Sequence, residues 1–222
     1  MLEEKITALR KELIEYATAI EGMIEKSIIA LLRKDSAMLM EIIEKDEPTA
    51  NNTEIIIEEM CISMIAQFQP KAKDLRTILM ILKINNDLER AGDHAVNIAE
   101  SGLFLNDRPQ LKPLIDIPRM AQDSINMLKD SITSFINEDS MLAYKVCERD
   151  NEVDDLANQI MRELITYMTG DPSTIERSLH LLKISRNLER VADLSTNICE
   201  DVIFMVEGAI IKHHILDKNI LV

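Results

Sequence analysis

The chain has 222 residues, of which 46% are apolar and 29% charged, and a formal net charge of −14. That length allows one or two domains around a well-buried core. The acid excess argues against nucleic acid, where affinity rests on neutralising phosphates with Lys and Arg, and against docking on anionic lipid; it suits cations or a partner with a basic surface.

The first residues, MLEEKITALRKELIEYA, are charged and amphipathic, without the apolar centre of a signal peptide. No run of 18 apolar residues follows that could span a bilayer, so a cytoplasmic protein without membrane insertion is expected. Apolar residues recur at helical spacing nearly throughout. They predict a first helix over 3–33 and, from the N-cap signal Asp35-Ser36, a second over 36–67 with Pro48 as its point of interruption. Gln69-Pro70 ends the second, and Pro70 is placed in the first turn of a third helix over 71–104. Residues 106–113, Asn-Asp-Arg-Pro-Gln-Leu-Lys-Pro, read as a linker. A second set follows at 114–137, 140–168 and 173–208, with Pro172 repeating the role of Pro70. Helices of this length span about 45 Å at 1.5 Å per residue, and short turns make neighbours antiparallel. The predicted fold is all-α: two tandem antiparallel three-helix bundles related by internal duplication, over 1–106 and 113–212, with a tail at 213–222.

The duplication is visible in the residues. LKINNDLERAGDHAVNIAE at 82–100 returns as LKISRNLERVADLSTNICE at 182–200. Besides the apolar positions, Glu89, Asp93, Asn97 and Glu100 recur as Glu189, Asp193, Asn197 and Glu200. On a helical projection with Glu89 at zero, Asp93 falls at about 40°, Asn97 at about 80° and Glu100 at about 20°. The acids form a stripe at the border of core and solvent, with Lys83, Asp87, Arg90 and His94 expected on the wet side. Like charges at i, i+4 destabilise a helix by about 0.2–0.5 kcal/mol per pair, so a matched repetition points to a cation. The second and fifth helices offer facing pairs, Glu47 with Asn51 and Asp150 with Asp154. Oxygen-only donor sets suit Mg, Ca, Mn or Fe, with Zn admissible. Small residues beside the stripe, Ala91, Gly92 and Ala192, leave room for another backbone. A solvated acidic edge paired with Arg90 and Arg190 is the alternative reading of the same residues.

Other signals are weaker. His94 has no counterpart, since Leu194 holds the matching place, and reads as a surface histidine. His213-His214 could scavenge metal. Glu176 and His180 are four apart, not the Glu-x-x-His spacing of ferritin-like di-iron proteins. Cys61, Cys147 and Cys199 form no Cys-x-x-Cys pair and read as reduced, packed thiols. No phosphate loop, zinc-protease helix or nucleophile with a companion base is present.

Gln69-Pro70-Lys71-Ala72-Lys73-Asp74-Leu75-Arg76, Leu88-Glu89-Arg90-Ala91-Gly92-Asp93 and Leu188-Glu189-Arg190-Val191-Ala192-Asp193 resemble the PhoU family of bacterial phosphate-signalling regulators over nearly the whole chain. The resemblance implies a non-enzymatic, cytoplasmic negative regulator of phosphate uptake and phosphate-starvation signalling. Its implied partners are the ATPase subunit of the phosphate ABC transporter, the phosphate sensor histidine kinase and a second copy of itself. It also implies iron or zinc clusters at the acid-x-x-x-Asp pairs. Carried onto this sequence, the ligands are Glu89, Asp93, Glu189, Asp193, Asp150 and Asp154, then Glu47 and Asn51. Asn51 in place of an acid, Glu47 in place of Asp and Ala192 in place of Gly depart from the family pattern and make the second unit the fuller site. A ferritin-like di-metal protein and a metal-free helical scaffold are the competing functional readings.

Overall fold

The computed structural model describes residues 2–207, 211–212 and 215–216. The first unit comprises α1 (Leu2–Arg33), a short α2 (Ser36–Glu41), a π-helical turn (Ile42–Asp46), α3 (Glu47–Phe68) and α4 (Ala72–Asn106). The second comprises α5 (Asp116–Asn137), α6 (Ser140–Gly170), a 3-10 turn (Pro172–Thr174) and α7 (Ile175–Glu207). Beyond α7, Ile211–Lys212 pairs antiparallel with Ile215–Leu216. The expected pair of three-helix bundles is therefore present. The remainder of the predicted tail, His213-His214 included, lies outside the described residues. Among the described residues no helix is long and apolar enough to cross a membrane.

The helix breaks follow from local chemistry. Asp35 and Asp139 each cap a helix, their side chains accepting from the Met38 and Leu142 backbone N–H at 3.0 Å; such caps satisfy donors that the first turn leaves orphaned. The residues just before them, Lys34 and Glu138, sit at φ 54° and 51°. They close α1 and α5 with matching bonds, Asp35 N–H to Ala30 O and Asp139 N–H to Ser134 O, both 2.9 Å. The two prolines differ. Pro172 opens its 3-10 turn, whereas Pro70 lies outside α4, whose N-cap is Lys71.

The second helix is interrupted ahead of Pro48, not at it. Asp35 matches Asp139, 104 residues on, but Glu47 matches Asp150, 103 residues on. The first unit thus carries one extra residue between these points. A π turn closes i→i+5 bonds instead of i→i+4, and so absorbs that residue without turning the following helix out of phase.

α1, α4, α7 and α5 form a ring, with α3 packed outside α1 and α4, and α6 outside α5 and α7. One apolar core runs through both units. The units meet along α4–α7 and α1–α5. α4 and α7 run antiparallel, since Lys83 Nζ reaches Asp201 at 2.9 Å while Lys183 Nζ reaches Glu100 at 3.4 Å. Between these pairs His94 Nδ1 meets Asn187 Oδ1 at 2.8 Å. The face of α4 expected to be wet is therefore the seam between the units. His94 is half-buried in it rather than a surface histidine, and Asp87 is only 14% exposed. A helical projection sees one helix at a time, and here one polar face is covered by another polar face.

Candidate metal centre

The groove between α3 and α4 gathers Glu47, Glu89 and Asp93 of the predicted first-unit residues. Ala91 and Gly92 are buried against α1, where a Cβ on Gly92 would lie 3.1 Å from Ile20 Cδ1. That contact fixes the rotation of α4 and turns Glu89 and Asp93 toward the groove. Burial pushes the Glu89 carboxyl above the usual range; Asp93 and Glu54 push the same way, against Arg90. Burial also raises Glu47, reinforced by Asp93 and Glu100. Glu54 is raised by burial and by Glu58. These carboxylates on two helices feel one another's charge, and among the described residues none of Glu47, Glu54, Glu89 and Asp93 makes an ion pair.

The predicted amides are less central. Asn51 is exposed, and Asn97 donates to the Asp93 backbone carbonyl at 3.0 Å. Glu100 pairs with Lys183 across the seam.

The second groove lies between α6 and α7. Burial raises Glu189, with Asp154 and Asp193 adding to the rise and Arg190 and Arg186 opposing it. Asp150 is 8% exposed on the buried side of α6. Asp193 is bridged by Arg190 at 2.9 Å, so the second groove holds a cation that the first lacks. Asn197 is exposed and Glu200 half-exposed, the latter near Cys147. The Cys147 and Cys199 thiols touch between α6 and α7, a proximity that their spacing in the chain conceals. His180 belongs to neither groove, because it stacks on Phe104 with ring centroids 3.7 Å apart.

Among the described residues no three His, Cys, Asp or Glu side chains converge closely enough to hold an ion without moving. The donor chemistry fits a hard cation: several carboxylate oxygens, half-buried, with raised proton affinity and no soft ligand in the first groove. Glu54 was not among the predicted ligands. It follows Glu47 by seven residues, two helical turns, and following the i, i+4, i+7 face from Glu47 through Asn51 would have found it.

A family model described as PhoU domain matches residues 13–102 and again 117–202. The chain belongs to the PhoU family. Each match contains one groove, so the repeat that carries the carboxylates is the family's own unit. The chain is 42% identical over 219 residues to a protein of Aquifex aeolicus named phosphate-specific transport system accessory protein PhoU homolog, covering 98% of this chain and 99% of that one. It is 35% identical over 208 residues to the protein of the same name from Deinococcus radiodurans, covering 94% and 97%. The crystal structure of PhoU from Pseudomonas aeruginosa superposes with a TM-score of 0.89 at 31% identity, covering 94% of this chain and all of that one. That of the phosphate transport system regulatory protein PhoU from Streptococcus pneumoniae gives 0.87 at 26% identity, covering 96% and 100%.

Proposed function

We propose that this chain is a metal-binding accessory protein of phosphate-specific transport, a non-enzymatic cytoplasmic regulator that restrains uptake and starvation signalling. The transport role is supported by the names of relatives aligned over almost their full length. The metal-binding part rests on one observation: in both units, carboxylates from two helices face one groove, where burial and the neighbouring carboxylates raise the proton affinity of Glu47 and Glu89 in the first and of Glu189 in the second. A divalent or ferric ion there would supply positive charge that ties α3 to α4 and α6 to α7. Iron or zinc clusters are the proposed occupants, with Mn, Mg or Ca as the other hard ions this donor set accepts. The residues present Glu47, Glu54, Glu89 and Asp93 on one side of the molecule, and Asp150, Asp154, Glu189 and Asp193 on the other.

The proposed partners are the ATPase subunit of the phosphate ABC transporter, the phosphate sensor histidine kinase and a second copy of the chain. Nucleic acid is disfavoured by the charge of −14.

The experiment is elemental analysis of untagged protein purified without chelator, beside a variant with Glu89, Asp93, Glu189 and Asp193 all changed to Ala. Stoichiometric metal that disappears in the variant is the expected result. Equal metal content in both would sink the ligand assignment. Capture of the transporter ATPase subunit by the same two proteins tests the partner separately.

A further inference from the structure

Tyr16 on α1 is among the largest side chains fully enclosed in the molecule, 2% exposed, and its hydroxyl oxygen has no hydrogen-bond partner. A buried hydroxyl without a partner is rare and costly, and calls for an explanation. The charges that bear on this hydroxyl belong to Glu89, Glu54 and Asp93. Gly92 meets Ile20 and Gly102 meets Leu31, so α1 and α4 run parallel, and Tyr16, one turn before Ile20, stands at the level of Glu89 while its hydroxyl bonds to none of these carboxylates. Tyr16 also lines a groove between α1 and α3 of about 480 Å³, together with Gly22, Ala50 and Thr53.

The second unit supplies an internal control. The 104-residue offset between α1 and α5 is set by the shared caps Asp35 and Asp139, and by Ser27 and Ser131, whose hydroxyls each donate to the carbonyl three residues back at 2.7 Å. By that offset Met120 stands where Tyr16 stands. Met120 is wholly buried with the Ser185 hydroxyl against its sulfur. By the 103-residue offset of α3 and α6, Ala157 stands where Glu54 stands. The phenol and the extra carboxylate therefore occur together in one unit and are absent together from the other.

We propose that Tyr16 is a positioning residue of the first site, its hydroxyl donating a hydrogen bond to the oxygen ligands of a hard cation held by Glu47, Glu54, Glu89 and Asp93, so that the two units bind such ions unequally. This rests on the metal-binding reading above. Outer donors of this kind contribute about 10- to 100-fold to metal affinity, and the second unit has Met120 where this one has a phenol. Without a cation the hydroxyl is a liability, since it occupies the core unbonded; with one it is satisfied.

The test uses the full chain with Glu189→Ala and Asp193→Ala, which silences the second site, and Tb³⁺ as a hard, oxygen-seeking probe. The sequence has no Trp and three Tyr, so Tb³⁺ emission sensitised by protein excitation reports a nearby tyrosine, while calorimetry reports affinity. Adding Tyr16→Phe is expected to abolish most of the sensitised emission and to weaken Tb³⁺ about tenfold or more. It should leave the melting temperature of the ion-free protein unchanged or higher. Tyr16→Met, the second unit's own residue, should lose affinity in the same way. Tyr16→Phe introduced instead beside Glu89→Ala and Asp93→Ala should leave the second site's affinity unaltered. The proposal is overturned if Tyr16→Phe keeps affinity within twofold, or if it lowers the melting temperature of the ion-free protein, the mark of a hydroxyl bonded within the core. If the parent with both sites intact binds no Tb³⁺, no divalent ion and no ferric ion, the metal-binding reading fails first and takes the proposal with it.

Discussion

Asp87 shows how far position can move a single carboxyl. Burial in the seam raises it to about 6, with Asp201 across the seam adding to the rise and Arg90 and Lys83 opposing it. An unfolded aspartate titrates near about 4. Between those values the folded chain keeps a proton that the unfolded chain has released, so stability falls as pH rises from about 4 to about 6 and stays lowered above. The matching residue in the second unit is Asn187. Asp87→Asn is therefore expected to flatten that fall, to stabilise the ion-free protein at neutral pH and to give no gain below about pH 4. Denaturant titrations at several pH values in the presence of chelator would show it; an equal gain at every pH would contradict the assignment. At the second groove, Glu189→Ala with Asp193→Ala removes like-charge repulsion together with one exposed ion pair worth at most about 1 kcal/mol. The ion-free melting temperature should hold while that unit's metal is lost, as calorimetry beside elemental analysis would measure.

Between helices, the duplication has solved the same packing problem twice with the sizes exchanged. On α4, Gly102 faces Leu39 of α2, and a Cβ there would come within 3.0 Å of Leu39 Cδ1. The matching residues of the second unit are Val202 and Ala143, both fully buried. Gly92 and Ile20 likewise become Ala192 and Ser124. Gly102→Val alone should cost about 1–3 kcal/mol by overpacking, and Leu39→Ala alone about 2–5 kcal/mol through the cavity it leaves. Combined, they reproduce the second unit's pair and should recover at least about 1 kcal/mol relative to the sum. Strictly additive losses in a double-mutant cycle would show that the two positions do not share the space. This level was partly legible in the sequence. The cap Asp35, the breaks at Gln69-Pro70 and Pro172 and the apolar period located the helices, because these signals act within a turn or two. Glu89 and Asp93 were legible because the repeat marks them. The π turn was hidden, since one additional residue shifts an offset without disturbing the apolar pattern around it. Asp87, His94 and Tyr16 were misplaced or missed for a different reason: their neighbours come from other helices, and Tyr16 in the sequence is one more bulky residue on an apolar stripe.

For the molecule as a whole, ions that bind the folded chain and not the unfolded one stabilise it by mass action, about 2.7 kcal/mol per site at a hundred times the dissociation constant. Titrating iron, zinc or manganese into chelator-treated protein should raise the melting temperature progressively, and the four-alanine variant should show no rise. The seam itself carries a further implication. Lys83 with Asp201 and Lys183 with Glu100 are reciprocal partners across an approximate two-fold axis, and one core runs through both halves. Two-fold reciprocity of this kind is the signature of an isologous subunit interface. In that sense the chain is a dimer of its own halves made permanent by the segment 107–115, which replaces a bimolecular encounter by a fixed, high local concentration. Severing that segment with a protease site should leave a protein that holds together yet melts at a temperature that falls more steeply on dilution than that of the uncut chain. The contribution of the segment to the fold would then be measured in molarity.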